Sequence, residues 1–278
     1  MIRATPIVVL TALVVMLAVE GKAQTPGAYL GDLNWPEAER RLAQSPLVIL
    51  PFGAGAKEHG PHLPMNADRK VMEYLCQQAV DSLDVLVAPP ILHGWFPAFR
   101  DYPGTEVRDP DVFTRYVLEV ARSLVEHGAR RIVFLNTGIM RATGLPIAIA
   151  AREIRVQLGT PTLVVSWDDL ETAEIEALAE QQMGGHADEL ETSINLFLQP
   201  ELVSPDLPAA DYGGGAKDYP GYQPGLFSRE RNDPAFSETG YFGDPSLATA
   251  DKGKAALEIM TRQWLRALRG FAETPLGS

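Results

Sequence analysis

The chain has 278 residues, a formal net charge of −12 at pH 7 and an isoelectric point near 4.9. The phosphates of nucleic acids and anionic lipid surfaces repel so acidic a chain, so the composition argues against both partners and favours a small-molecule substrate. The single cysteine, Cys76, excludes an internal disulfide, and its apolar, helix-period setting predicts a core residue.

The first 23 residues are typical of a signal peptide. A basic start at Arg3 precedes an apolar run from Ile7 to Val19 and a small-residue exit that ends at Ala23. The run is shorter than the roughly 20 residues that span a bilayer, so a retained membrane anchor is the weaker alternative. We therefore predict a signal peptide over residues 1–23, export to the periplasm or the medium, no membrane association after its removal, and one domain over residues 24–278.

Apolar runs of strand length alternate with segments of helical period along the rest of the chain. This alternation predicts a single-domain, three-layer α/β fold with a mostly parallel central sheet. Residues 211–244 have no sustained period and predict a long irregular excursion. The predicted strands are 47–52, 85–90, 131–136 and 161–167, and the predicted helices are 69–83, 112–127, 144–158, 169–181, 188–198 and 249–268.

The loop after the first predicted strand, GAGAKEHGPHLPMNAD, combines imidazoles and carboxylates on a chain stiffened by Pro61 and Pro64. In an open α/β sheet, ligands gather at the carboxyl ends of the strands, where this loop lies. His59 and Asp68 are therefore candidate ligands of a divalent metal, because a stiff loop holds its ligands together with little loss of entropy. The alternative is a structured turn whose histidines bond to the backbone.

A second cluster, GGHADELETS over residues 184–193, places His186 just before a predicted helix. Asp188 and Glu189 are expected to cap or solvate that helix, since the helix dipole favours carboxylates in a first turn. The two glycines before His186 indicate a close approach of the backbone to another group.

Four blocks resemble, in order and spacing, those of the creatininase (creatinine amidohydrolase) family over about residues 47–268: LPFGAGAKEHGPHLPMNAD, YPGT, HADELETSINLFLQPELV and GDPSLATADKGKAAL. The resemblance implies a creatininase-like α/β fold, a two-metal site for zinc or manganese, hydrolysis of an amide C–N bond, and a homo-oligomer, often a hexamer. It also implies that His59 binds metal, that Asp68 bridges two metals, and that His186 shuttles the substrate's proton, with Glu191 as a further catalytic residue.

The chain departs from the family pattern at several ligand positions. The first-block ligand glutamate falls on Lys57, with a glutamate displaced by one to Glu58. In the segment NTGIMRA, a family histidine ligand falls on Gly138 and a second ligand, commonly glutamate, falls on Met140. Neither glycine nor methionine suits a hard or borderline cation, so one ion rather than two is possible. Its predicted ligands are Glu58, His59 and Asp68, with His186 or Glu191 as further candidates.

Two other departures concern the substrate side. Lys57 is a predicted catalytic residue, because its ammonium can stand where a lost metal once polarised the carbonyl. Phe99 replaces the family histidine before YPGT, and the loops WFPAFRDY and NTGIMRA both diverge, so creatinine is not the expected substrate.

The sequence therefore predicts a hydrolase of a small amide, lactam or related cyclic C–N bond other than a peptide bond. A metal-activated water is the expected nucleophile and His186 the proton shuttle. The alternative is a non-catalytic small-molecule-binding pseudoenzyme, which the lost ligands favour. The survival of His59, His186 and Glu191 favours the enzyme, because titratable groups are costly to bury without use.

Overall fold

The computed structural model describes residues 26–45, 47–138, 141–212 and 238–276. Five parallel strands form one sheet in the order β1-β3-β2-β4-β5, as the alternating sequence pattern predicts. The strands are β1 (Ala28–Tyr29), β2 (Leu47–Phe52), β3 (Val85–Val87), β4 (Ile132–Asn136) and β5 (Thr162–Ser166).

Helices cover both faces of the sheet and complete the predicted three layers. Alternate residues of β2 supply the two cores: Leu47 and Ile49 pack with α2, α7 and α8, whereas Val48 and Leu50 pack with α3 and α4. The helices are α1 (Trp35–Gln44), α2 (Ala67–Ser82), α3 (Pro110–Glu126), α4 (Arg141–Leu158), α5 (Trp167–Leu170), α6 (Ala173–Glu176), α7 (Glu189–Leu198) and α8 (Ala250–Ala272).

The four predicted strands and five of the six predicted helices are confirmed within a few residues at each end. Cys76 is buried on α2 as predicted, and burial raises the pKa of its thiol to about 12. No helix among the described residues is both long and apolar enough to cross a membrane. The predicted signal peptide, residues 1–23, and most of the predicted excursion, residues 213–237, lie outside the described residues. The homo-oligomer also stays a prediction.

The single helix predicted over residues 169–181 is wrong. The backbone is extended at Glu171 and Thr172, so the segment divides into the short helices α5 and α6. Beyond α6, the N–H groups of Glu180 and Gln181 donate to the buried carboxylate of Glu189 at 2.8 and 2.7 Å. A distant side chain thus takes the donors that a continuing helix would have used.

Candidate active site

The candidate site lies where the carboxyl ends of two neighbouring strands meet the first turn of α7. Phe52 at the end of β2 pairs with Asn136 at the end of β4, so the loops that follow them leave the sheet side by side. The loop after β2, which leads into α2, carries Lys57, Glu58 and His59. His186 lies just before α7 and Glu191 in its first turn, in the same layer as α2. The strand-end rule thus located the site correctly.

Asp68, in the first turn of α2, is the centre of the site. Its Oδ1 lies 3.0 Å from His59 Nε2, and its Oδ2 lies 2.9 Å from Lys57 Nζ. All three side chains are at most 4% exposed. Burial alone would raise the pKa of Asp68, but Lys57 and His59 hold that pKa well below its usual range. The carboxylate is therefore ionised and faces one nitrogen with each oxygen.

The orientation of the His59 ring follows from its other nitrogen. Nδ1 lies 2.9 Å from the backbone carbonyl of Lys57, and a carbonyl can only accept, so Nδ1 carries a proton. In the neutral ring the lone pair of Nε2 would then point at Asp68 Oδ1, which is also an acceptor. Two facing acceptors need a proton or a metal ion between them, so this pair has the form of a cation site.

Glu191 completes a group of three ligands. One ligand atom each of His59, Asp68 and Glu191 lie within 4.8 Å of one another. Ligands about 2.0–2.1 Å from a tetrahedral zinc ion lie roughly 3.3 Å apart, close to the 3.0 Å between His59 Nε2 and Asp68 Oδ1. The nitrogen and oxygen donors present therefore fit one divalent ion.

Glu58, a predicted metal ligand, has a different contact from the one expected. Its Oε2 lies 2.9 Å from His186 Nε2, and its Oε1 accepts from the N–H of Gly60. Burial alone would raise the pKa of Glu58, but His186, followed by the Gly60 N–H, lowers it below the ordinary value. Glu58 is therefore an ionised acceptor that orients His186. Glu191, predicted as catalytic and as a further candidate ligand, lies with His59 and Asp68.

His186 lies beside this group, as predicted. The centroids of the His186 and His59 rings are 5.3 Å apart, and Nδ1 of His186 is 3.9 Å from Glu191 Oε2. The next residue, Ala187, has a φ of +46°, which is rare for a residue with a side chain, and its N–H donates to Glu191. This bond fixes the turn that directs His186 into the site.

Phe99, Thr137 and Gly240 also build the site, and of these the sequence indicated only Phe99, in place of the family histidine before YPGT. The Phe99 ring lies 4.4 Å from the His186 ring, and Lys57 Nζ lies 5.1 Å from its centroid. Thr137 Oγ1 donates to the backbone carbonyl of Asp68 at 2.8 Å. Gly240 has a φ of +80°, and a Cβ there would lie 2.2 Å from the Glu58 carboxylate. The position of Gly240, directly before Tyr241 in the irregular excursion, was the sequence feature that could have indicated this close approach.

The residues that flank His186 are structural, as expected. Asp188 caps α7, with Oδ1 accepting the N–H of Leu190 and of Glu191 at 3.0 Å. The close approach predicted for the double glycine is real, because a Cβ on Gly184 would lie 2.1 Å from Asp188 Oδ2. The glycines therefore serve the cap rather than a ligand.

A shallow pocket open to solvent lies beside Lys57 and Glu58 and has a cavity volume of about 30 Å³. Phe99, Arg100 and Tyr102 form part of its wall. This volume has room for about two water molecules, so the pocket suits a small molecule or one end of a larger one.

Comparisons with known proteins point to one family. The family model described as Creatininase: Creatinine amidohydrolase matches residues 31–268. The creatinine amidohydrolase of Pseudomonas putida is 29% identical over 260 residues, which cover 87% of this chain and 96% of that protein. The mycofactocin precursor peptide peptidase of Mycobacterium tuberculosis (strain ATCC 25618 / H37Rv) is 26% identical over 260 residues, covering 89% and 94%. A solved creatininase variant of Zn-Zn type superposes with a TM-score of 0.72 at 27% identity, covering 88% of this chain and 98% of that one.

Proposed function

The chain belongs to the creatininase (creatinine amidohydrolase) family, and we propose that it is a metal-dependent hydrolase of an amide C–N bond in a small substrate. The convergence of His59 and Asp68 beside His186 carries this proposal. Two ligand-type side chains and a titratable histidine that can reach the same substrate are what hydrolysis with metal assistance requires.

His59, Asp68 and Glu191 would hold a divalent ion, zinc or manganese. When bound, such an ion supplies a Lewis acid and lowers the pKa of water towards about 7. The bond from His59 Nδ1 to the Lys57 carbonyl keeps the Nε2 lone pair available, and the Thr137 bond fixes the backbone at Asp68. The protein thus holds these two ligands in place before any ion binds.

His186 is the proposed proton shuttle. Because Glu58 accepts from Nε2–H, the lone pair of Nδ1 is left to take a proton from the attacking water and return it to the departing nitrogen. The negative charge of Glu58 stabilises the ring while it carries this extra proton. Phe99 packs on the ring and shields it from bulk water.

The proposed substrate is a small amide, lactam or related cyclic C–N compound. The small cavity volume of about 30 Å³ supports a small substrate, and the polar wall of the pocket supports a substrate with hydrogen-bonding groups. Relatives are named for creatinine and for a peptide precursor, so both cyclic and linear amides, including short peptides, belong in a screen.

A non-catalytic binding protein is the second candidate, and the Lys57–Asp68 ion pair favours it. The Lys57 ammonium, beside one oxygen of Asp68, offsets the negative charge of that carboxylate and so weakens its attraction for a metal ion. Such a protein would keep the pocket and lose turnover.

The test is a screen of lactams, cyclic imides, linear amides and short peptides with the zinc-loaded and manganese-loaded protein. His186→Gln is expected to lower kcat by about 10²- to 10⁴-fold at unchanged metal content. The control is His127→Gln, because His127 is exposed at the end of α3, at the opposite edge of the sheet, and should leave kcat unchanged.

Metal content separates the two candidates. Wild type is expected to bind metal and Asp68→Ala to lose it. Metal near zero in both proteins would remove the metallohydrolase, whereas metal-loaded wild type that binds but never turns over a ligand would establish the binding protein.

A further inference from the structure

We propose that the ammonium of Lys57 permanently occupies one of two cation positions at Asp68, so that the chain binds a single divalent ion, on the side of His59 and Glu191. This inference deepens the proposed function and rests on its metal site.

The first observation is the division of the Asp68 carboxylate between two nitrogens. Oδ2 is 2.9 Å from Lys57 Nζ, whereas Oδ1 is 3.0 Å from His59 Nε2. A metal ion bound to Oδ2 at about 2.0–2.2 Å would lie within about 5 Å of the ammonium. At nearly complete burial water screens such repulsion weakly, so the ammonium and a dication exclude each other at this oxygen.

The second observation is the place of Gly138, which reaches the site from β4 rather than from the β2 loop. A Cβ on Gly138 would lie 3.8 Å from Asp68 Oδ2, the same oxygen that Lys57 holds. The two positions where the family pattern has a glutamate and a histidine therefore meet at one carboxylate oxygen. The donors that are lost and the cation that is gained belong to the same position.

The third observation is that the opposite side of Asp68 keeps its donors. His59 lies there at Oδ1, and Glu191 brings a carboxylate oxygen to within 4.8 Å of the ligand atoms of His59 and Asp68. Among the described residues, no lysine or arginine lies within 4 Å of Oδ1. One half of the centre thus fits an ion and the other half fits an ammonium.

Lys57 also faces the substrate side of the site. It lines the pocket, and its Nζ lies 5.1 Å from the centroid of the Phe99 ring, an arrangement that stabilises a buried ammonium. An ammonium fixed here can donate a hydrogen bond to the oxygen that becomes negative when the amide carbonyl is attacked. Lys57 would thus supply the second positive charge without a second ion.

The direct test is the number of zinc ions per chain, measured by elemental analysis after equilibration with excess zinc and removal of free metal. Wild type is expected to retain one ion. The double variant Lys57→Glu/Gly138→His returns a carboxylate and an imidazole to Asp68 Oδ2 and is expected to retain two. The matched control Lys57→Met/Gly138→Ala removes the ammonium and adds no donor, so it should retain one.

The electron paramagnetic resonance spectrum of the manganese-loaded wild type gives the same answer without any variant. One isolated ion gives a six-line signal at full spin count, whereas two ions that share Asp68 couple and lose that signal. Two ions in wild type, or a double variant that folds and still retains one, would overturn the inference.

The outcomes keep this inference apart from the proposed function. An active wild type with two ions refutes the role of Lys57 and leaves the hydrolase intact. An inactive wild type with one ion refutes the hydrolase and leaves the single-ion centre intact. A wild type with no ion refutes both.

Discussion

Two buried lysine–carboxylate pairs in this molecule have different surroundings. Lys252, at the start of α8, donates to Glu189 at 2.5 Å, to Glu180 at 2.6 Å and to a backbone carbonyl at 3.0 Å. Lys57 pairs with Asp68 at 2.9 Å, and among the described residues no second carboxylate lies within 4 Å of its ammonium. Three acceptors saturate the first ammonium, whereas the second retains donors that a ligand can use.

The carboxylates show the same difference. Glu189 is fully buried, and its second oxygen accepts two backbone N–H groups, so its pair joins α7 to α8. In the Lys57–Asp68 pair, by contrast, Lys57 lines a pocket that is open to solvent. A buried ion pair whose donors and acceptors are all used contributes to stability, and one that is left incomplete at a pocket is available for chemistry.

The largest effect on stability is expected from Lys252→Met. Removal of the ammonium leaves Glu189 charged and buried without its cation, which should lower the free energy of unfolding by about 3–5 kcal/mol. Activity and metal content per folded molecule should not change. Urea denaturation followed by circular dichroism measures the loss.

The matched control lies two residues along the same helix. Lys254 forms an exposed pair with Glu258 at 4.0 Å, so Lys254→Met should change the free energy of unfolding by less than about 0.5 kcal/mol. Equal losses in the two variants would show that the Lys252 contacts are not a saturated structural pair.

Lys57→Met is expected to lower activity strongly and folding stability only slightly, the reverse of Lys252→Met. Loss of an ammonium that stabilises a developing oxyanion should lower kcat by about 10²- to 10³-fold, which corresponds to roughly 2.7–4 kcal/mol in the transition state. His59 remains beside Asp68, so the loss of folding stability should be smaller than in Lys252→Met. A kcat close to wild type, measured with the substrate found in the screen, would contradict the catalytic role of Lys57.

The sequence predicted the sheet and the convergence of His59, Asp68 and His186 because both depend on patterns along the chain. Strand-length apolar runs and strand-end loops are local features, and the family blocks carry the order of the site residues. The sequence did not show that Glu58 contacts His186 whereas Glu191 lies with His59 and Asp68. These contacts depend on the left-handed turns at Gly60 and Ala187, whose N–H groups donate to the two carboxylates.

Strand β1 and helix α1 were not predicted, although the sequence carries the start pattern of α1. Asn34 caps α1 through the N–H of Glu37, and Pro36 lies in the first turn, a pattern typical of a helix start. The preceding strand, β1, has only two residues, too few for a period to show. After α6, by contrast, no local signal was available, because the N–H groups of Glu180 and Gln181 donate to Glu189, a residue distant from α6 in sequence.

A third carboxylate, Glu171, is partly buried, and no lysine or arginine among the described residues pairs with it. Its Oε2 accepts from Trp167 Nε1 at 3.1 Å. Burial, followed by repulsion from Asp188 and Glu191, raises the pKa of Glu171 from 4.5 to about 7. The pKa of Asp68, which has Lys57 and His59 as partners, moves in the opposite direction. The partner thus determines the sign of the pKa shift of a buried carboxylate.

Stability should therefore depend on pH through Glu171. The folded state binds this proton more tightly than the unfolded state, so the contribution is complete below pH 4.5 and is lost as pH rises through 7. Since the side chain is partly exposed, we expect about 1–2 kcal/mol. Glu171→Gln should flatten the change in the free energy of unfolding between pH 5 and 8, relative to wild type and to the control Glu174→Gln on exposed α6. A fall of equal size in Glu171→Gln and wild type would assign the pH dependence to other groups.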